Sequence, residues 1–162
     1  MGRFDGRVAL ITGAASGIGR ATARRMASDG AIVVGFDRDP DGLAEVAAEV
    51  AGLGGVMTFV IGDVAKREDC ITAVEAAAVN HGRLDVLVNV AGVAWAEHVT
   101  DTTEEDWNRM LGVNVSGSFW CAQAALPLLI QNHGNIVNVA SNAGLMGQAY
   151  TVAYSTAKGA VV

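Results

Sequence analysis

Tyr154 and Lys158 stand four residues apart in Tyr-Ser-Thr-Ala-Lys, so a helix there carries both side chains on one face. A phenol with an ordinary pKa of about 10 is a poor acid–base catalyst at neutral pH. A neighbouring ammonium favours the phenolate. Ser141 precedes Tyr154 by thirteen residues. Its hydroxyl would hold a substrate oxygen while Tyr154 exchanges a proton with it. Alone, Tyr-x-x-x-Lys also fits a solvated helix face. Following a serine at a strand end, it describes a site that moves a proton on and off an alcohol oxygen.

Such a site needs a scaffold, and the hydrophobic pattern supplies one. Apolar runs at 7–12, 31–36, 56–61, 84–90 and 135–140 read as strands enriched in Val and Ile. They are continuously apolar, as parallel strands covered on both faces are. Helical stretches lie between them, near 17–28, 40–52, 66–81 and 103–131. Asp39 with Pro40 reads as an N-cap and first-turn proline, and Thr102 with Glu105 as a capping box. The alternation predicts a doubly wound parallel α/β sheet of Rossmann type, in three α/β/α layers, with residues 1–162 in one domain. Ser141 then falls just past the fifth strand, at the carboxyl edge where open α/β sheets bind ligands.

Between the first strand and first helix runs Thr-Gly-Ala-Ala-Ser-Gly-Ile-Gly, residues 12–19. Gly13 would make the tight exit from the strand, Gly17 would let a ligand approach the backbone, and Gly19 would let the helix pack closely. A pyrophosphate over Ser16, Gly17, Ile18 and Gly19 would meet free N–H groups and the positive end of the helix dipole. The spacing is G-x-x-x-G-x-G rather than the commoner G-x-G-x-x-G. Asp37 closes the second strand, eighteen residues after Gly19. A carboxylate there bonds adenosine ribose hydroxyls and repels a 2′-phosphate. Arg38 would instead pair with that phosphate, but residues 14–16 offer it no basic partner, so NAD is favoured over NADP. Asp63 would accept from an adenine amino group while the Val64 backbone meets the ring edge; the alternative for Asp63 is an ordinary turn.

Eleven basic residues against seventeen acidic give a net charge of −6. No Lys/Arg cluster offers a nucleic-acid footprint. Cys70 and Cys121 stand apart with no C-x-x-C, as in a reduced cytoplasmic protein. His81, His98 and His133 have no ligand spacing and read as loop residues, so no metal site is expected. The N-terminus lacks a signal pattern, and no run of about 20 apolar residues marks a membrane span.

Thr12–Gly19, Asp37, Asp63-Val64 and Asn89-Val90-Ala91-Gly92 together resemble the short-chain dehydrogenase/reductases. That family has Asn-Asn-Ala-Gly after its fourth strand; here Val90 replaces the second Asn, while Asn89, Ala91 and Gly92 remain for sheet bracing and cofactor contact. The resemblance implies Tyr154 as general acid/base, Ser141 as donor to the substrate oxygen, and Lys158 as ribose ligand and modulator of Tyr154. It implies Asn114 as holder of a water linking Lys158 to solvent. The activity implied is NAD(H)-dependent interconversion of a secondary alcohol and a ketone, with 3-oxoacyl, steroid, terpenoid and sugar-alcohol substrates all open. The alternatives are a nucleotide-binding fragment without catalysis and an S-adenosylmethionine methyltransferase.

The stretch 103–131 is apolar all round, so it must be covered on more than one side. One cover is the sheet; the other is a second subunit or the remainder of the chain. The resemblance implies a homodimer or homotetramer through this helix and the one starting near Tyr154. Pro127 is expected to bend or loosen its final turns. The chain stops four residues after Lys158, so it is expected to be part of a longer protein whose last strands and substrate-covering loop lie beyond Val162.

Overall fold

Successive residues of the first strand, β1 (Val8–Thr12), face opposite ways and build two cores. Val8 and Leu10 join Val34, Phe36 and Leu87 on one face of the sheet; Ala9 and Ile11 join Val33 and Val88 on the other. The computed structural model describes residues 2–162 and contains four further strands: β2 (Ile32–Asp37), β3 (Val56–Ile61), β4 (Val86–Asn89) and β5 (Asn135–Asn138). All pair in parallel, in the order β3-β2-β1-β4-β5. Helices α1 (Gly17–Ser28) and α2 (Pro40–Gly52) cover the Ala9/Ile11 face with Ala23, Met26, Leu43, Val46 and Val50. Helix α3 (Arg67–His81) covers the other face with Cys70, Ala73, Val74 and Ala77. It shares that face with Cys121, Ala125 and Leu129 of a later helix, α5 (Gly117–Gln131). The three-layer, doubly wound architecture is as the sequence predicts.

Four details differ from the sequence reading. The edge strands β3 and β5 are not covered on both faces: Val56, Phe59, Ile61 and Val137 are exposed, because the helices pack mainly over the central strands, where the buried side chains lie. Thr103, not Thr102, caps helix α4 (Glu104–Leu111). Its Oγ1 accepts the Asp106 N–H at 3.1 Å and donates to the Asp106 carboxylate at 2.5 Å, so the capping pair lies one residue on from Thr102 and Glu105. The stretch expected as one α-helix contains a π-helical turn, Gly112–Ser116, between α4 and α5, and α5 runs through Pro127 to Gln131. His81 is the last residue of α3, its ring 3.5 Å from the Thr58 hydroxyl, rather than a loop residue.

Helix α5 buries Gly117, Cys121, Ala125 and Leu129, a stripe at every fourth residue, and exposes Phe119, Leu126 and Ile130. By length and composition the helical stretch Glu104–Gln131 is also apolar enough to cross a membrane; here its buried stripe lies on a sheet, as in a core helix. Cys121 and Cys70, read as isolated in the sequence, join one buried core where α3 packs beside α5. The last helix, α6 (Val152–Val161), packs Ala153 and Ala157 against Met110, in a cluster that also takes in Trp95 and Tyr154. At the far, amino end of the sheet, buried Asp85 accepts from the Val8 N–H at 2.9 Å, from both Nε and Nη2 of Arg83, and from Arg7 at 3.0 Å.

Candidate active site

Strand order reverses between β1 and β4, and the loops leaving their carboxyl ends part to leave a cavity of about 330 Å³. Eleven of the residues proposed for cofactor contact line it: Gly13, Ser16, Gly17, Ile18, Gly19, Asp37, Arg38, Asp63, Val64, Ala91 and Gly92. Gly13 turns the chain out of β1 with φ +68, and a Cβ there would lie 2.9 Å from the Ala91 backbone. A Cβ on Gly19 would lie 2.0 Å from the Gly13 carbonyl oxygen, so the start of α1 sits against the loop as only glycine allows. Ser16 occupies the N-cap of α1 without using its side chain to cap, which leaves its hydroxyl to the cavity.

Asp37 is held at the rim by two N–H groups: Ala15 donates to one carboxylate oxygen at 3.0 Å and Asp39 to the other at 3.2 Å. Asp63 also serves its own turn, accepting from the Ala65 N–H at 2.9 Å. The Val64 carbonyl accepts the Cys70 thiol at 3.3 Å, which fixes the far wall. Asn89 does not line the cavity. It lies buried beneath it, donating from Nδ2 to Asn138 Oδ1 at 2.9 Å and to the Ser118 carbonyl at 3.3 Å, and so braces β4 against β5 and α5.

The four catalytic candidates lie outside the cavity lining. Ser141 ends the chain leaving β5 and caps a short 3₁₀ turn, Asn142–Gly144, accepting from the Ala143 N–H at 3.2 Å. That turn packs on α6 so closely that a Cβ on Gly144 would lie 2.6 Å from the Lys158 carbonyl. Lys158 is buried, and its Nζ donates to the Val139 carbonyl at 2.7 Å, two residues before Ser141. Burial pushes its pKa down from 10.5. The same ammonium stands 6.0 Å from the centre of the Tyr154 ring. Asn114 sits inside the π-turn, where its Nδ2 donates to the carbonyls of Val93 at 2.9 Å and Met110 at 3.0 Å. Its Oδ1 is buried without a partner among the described residues. A Cβ built on Gly92 would lie 2.7 Å from that oxygen and 3.7 Å from Lys158 Nζ, so the two polar groups flank one point behind Gly92.

The short chain dehydrogenase family model matches residues 7–162. This chain belongs to the short-chain dehydrogenases. It is 42% identical over 160 residues to the meso-2,3-butanediol dehydrogenase of Serratia marcescens, a match covering 99% of this chain and 63% of that protein. It is 38% identical over 161 residues to a 3-oxoacyl-[acyl-carrier-protein] reductase of Thermotoga maritima, covering 99% and 65%. A crystal structure of NAD⁺-bound xylitol dehydrogenase superposes with a TM-score of 0.94 at 37% identity, over 98% of this chain and 62% of that one. The chain thus spans a little under two thirds of the length of these relatives. Family membership excludes the methyltransferase alternative.

Within this short-chain dehydrogenase chain, three polar residues matter that the sequence reading left without a role. Thr12, buried at the end of β1, accepts from the N–H groups of both Val90 and Ala91 at 3.0 Å and so ties together the two loops that form the cavity. Ser118 donates its hydroxyl to the Asn114 carbonyl at 3.2 Å while its own carbonyl takes Asn89. Asn138 completes the bridge from β5. Thr12 lay inside the quoted glycine motif, whereas nothing local marks Ser118 or Asn138. The cavity suits a nicotinamide dinucleotide on its own features. A left-handed glycine turn opens onto a helix N-terminus, a fixed carboxylate stands at the rim, and an unpaired buried amide oxygen sits near a desolvated ammonium.

Proposed function

We propose that the protein binds NAD(H) and interconverts a secondary alcohol and a ketone. The observation that supports this reading is the approach of Asn114 Oδ1 and Lys158 Nζ to Gly92 of a cavity lined by the glycine turn and Asp37, with Tyr154 beside that ammonium and Ser141 capping the turn packed on Lys158. The N–H groups of Gly17, Ile18 and Gly19 and the Ser16 hydroxyl hold the pyrophosphate. Asp37, whose two oxygens each keep accepting capacity, takes the adenosine ribose hydroxyls and disfavours a 2′-phosphate. Arg38 borders the same rim as a solvated cation, and Asp63 and Val64 flank the adenine. Ala91 and Gly92 line the inner wall, and Lys158 donates to the second ribose.

The cofactor, when bound, supplies or accepts the hydride, and the chain supplies orientation and proton transfer. Ser141 donates to the substrate oxygen; Tyr154 gives it a proton in reduction and takes one in oxidation. Lys158, fixed by the Val139 carbonyl, places positive charge beside the phenol. Asn114 Oδ1, facing the same point as Lys158 Nζ, offers an acceptor for a water on the proton's route to solvent. Names among the relatives, a diol dehydrogenase and an oxoacyl reductase, support secondary alcohols as the substrate class. The exposed Phe119, Leu126 and Ile130 of α5 support pairing of copies through this helix and α6, which light scattering in solution checks.

Tyr154→Phe tests the assignment. The variant should bind NADH as the parent does and lose turnover; near-normal turnover would refute the acid/base role. Parent protein that binds NADH yet turns over no secondary alcohol would instead favour the non-catalytic nucleotide-binding reading.

A further inference from the structure

We propose that Tyr150 is a positioning residue for Tyr154, clasping together the two loops that frame the reaction centre. The inference rests on the reading of Tyr154 as general acid/base. Tyr150 holds φ +66, a left-handed conformation costly for any residue with a Cβ. Glycine would fit it better. Nor does burial explain the side chain, since 57% of the residue is exposed. What the ring does is meet His98 edge-on, with centroids 4.8 Å apart and planes at 82°.

The contact joins two loops that matter. Residues 142–151 link Ser141 directly to α6, so Ser141 and Tyr154 stand near opposite ends of one short connection. Residues 93–101 leave the cavity wall after Gly92. Among the described residues one backbone hydrogen bond joins the two loops, from the Glu97 N–H to the Tyr150 carbonyl at 2.7 Å. The clasp is anchored on both sides. Glu97 accepts the Trp95 indole N–H at 3.0 Å, and Trp95 packs in the Met110–Ala153–Ala157 cluster that also holds Tyr154. Beyond Tyr150, the Thr151 carbonyl accepts from the Ser155 N–H at 2.7 Å and their hydroxyls lie 2.9 Å apart, which sets the first turn of α6. Tyr154 is the third residue of that helix. The ring on His98 therefore fixes where α6 begins and where the Tyr154 phenol stands relative to Ser141.

The test uses the whole protein, with meso-2,3-butanediol and xylitol as alcohols and NAD⁺ as oxidant. Tyr150→Gly removes the ring and relaxes the backbone, His98→Ala removes its partner, and Tyr150→Phe keeps the ring. Tyr150→Gly and His98→Ala should each lower kcat about tenfold, the scale of a sub-ångström misplacement, with NADH affinity unchanged. The double variant should be no slower than either single one, because both remove one contact. Tyr150→Phe should retain parental kcat. Parental kcat in Tyr150→Gly would overturn the proposal. So would a loss of kcat accompanied by an equal loss of NADH affinity and of thermal stability, which would mark a merely structural contact. No turnover of any secondary alcohol or its ketone across the 3-oxoacyl, steroid, terpenoid and sugar-alcohol classes by the unmodified protein, with NADH still bound, would refute the acid/base reading of Tyr154 and the positioning role with it.

Discussion

Lys158→Met separates what the fold gains from Lys158 from what the site gains. The residue is 6% exposed, and its ammonium makes one hydrogen bond among the described residues, to the Val139 carbonyl at 2.7 Å. Losing a hydrogen bond from a charged donor costs about 1.5–3 kcal/mol. Against that, removing a buried charge relieves a desolvation penalty of several kcal/mol, and the methionine stem refills nearly the same space. The relief matches or exceeds the loss, so the variant should melt no lower than the parent at neutral pH. The pH dependence fixes the sign. Burial lowers the folded-state pKa below 10.5, so folding is penalised wherever the lysine is charged and the penalty fades as pH rises through the window just below 10.5. Parent stability should therefore climb toward the variant's in that window. NADH binding should move the other way, weakening about 10- to 100-fold with the loss of one charged hydrogen bond. Thermal melts across pH and an NADH fluorescence titration read both quantities. A variant that melts several degrees lower yet binds NADH as tightly as the parent would show Lys158 to be a structural prop.

Two other substitutions probe the scaffold that carries the site. Thr12→Val keeps the shape and removes the acceptor shared by Val90 and Ala91, so it should cost about 2–3 kcal/mol in chemical denaturation and weaken NADH binding as well. A stability loss without weaker binding would mean that the loops keep their separation by other contacts. At Asp85, burial pushes the carboxyl pKa up, but hydrogen bonds from Arg83, the Val8 N–H and Arg7 outweigh it and hold the pKa below 3.8. Its stabilisation is therefore full above 3.8 and lost as pH falls through the lower, folded-state value. Asp85→Asn should cost about 2–3 kcal/mol at neutral pH, below the figure for a fully buried pair because both arginines reach solvent. The gap between parent and variant should close below pH 3.8. A gap independent of pH would refute the ionised-carboxylate account.

Local signals made much of this legible. Continuous Val/Ile runs mark the strands, since parallel strands bury both faces. The glycine turn and Asp37 are tied to a strand end by spacing, and Ser141, Tyr154 and Lys158 by a strand end and one helical turn. What stayed hidden is long-range. Thr12 meets Val90 and Ala91 across nearly eighty residues, and Asn89 finds Asn138 and Ser118 on two separate elements. Cys70 and Cys121 look isolated until α3 and α5 bring both into one core. The cap of α4 was hidden for another reason. Thr102 and Thr103 each precede an acidic residue by three, and only the backbone decides between them, placing Thr103 in the extended N-cap conformation and Thr102 against the His98 carbonyl. The π-turn likewise has no periodic signature, although it carries Asn114, whose Oδ1 approaches Gly92 as Lys158 Nζ does.

The most direct test of the central claim is a fluorescence titration of the protein with NADH and then with NADPH. Saturable NADH binding, with NADPH at least about tenfold weaker because a 2′-phosphate would face the Asp37 carboxylate, is the outcome expected here. A preference for NADPH would contradict the role given to Asp37 and hand the rim to Arg38; binding of neither would contradict the cavity's assignment as a cofactor site.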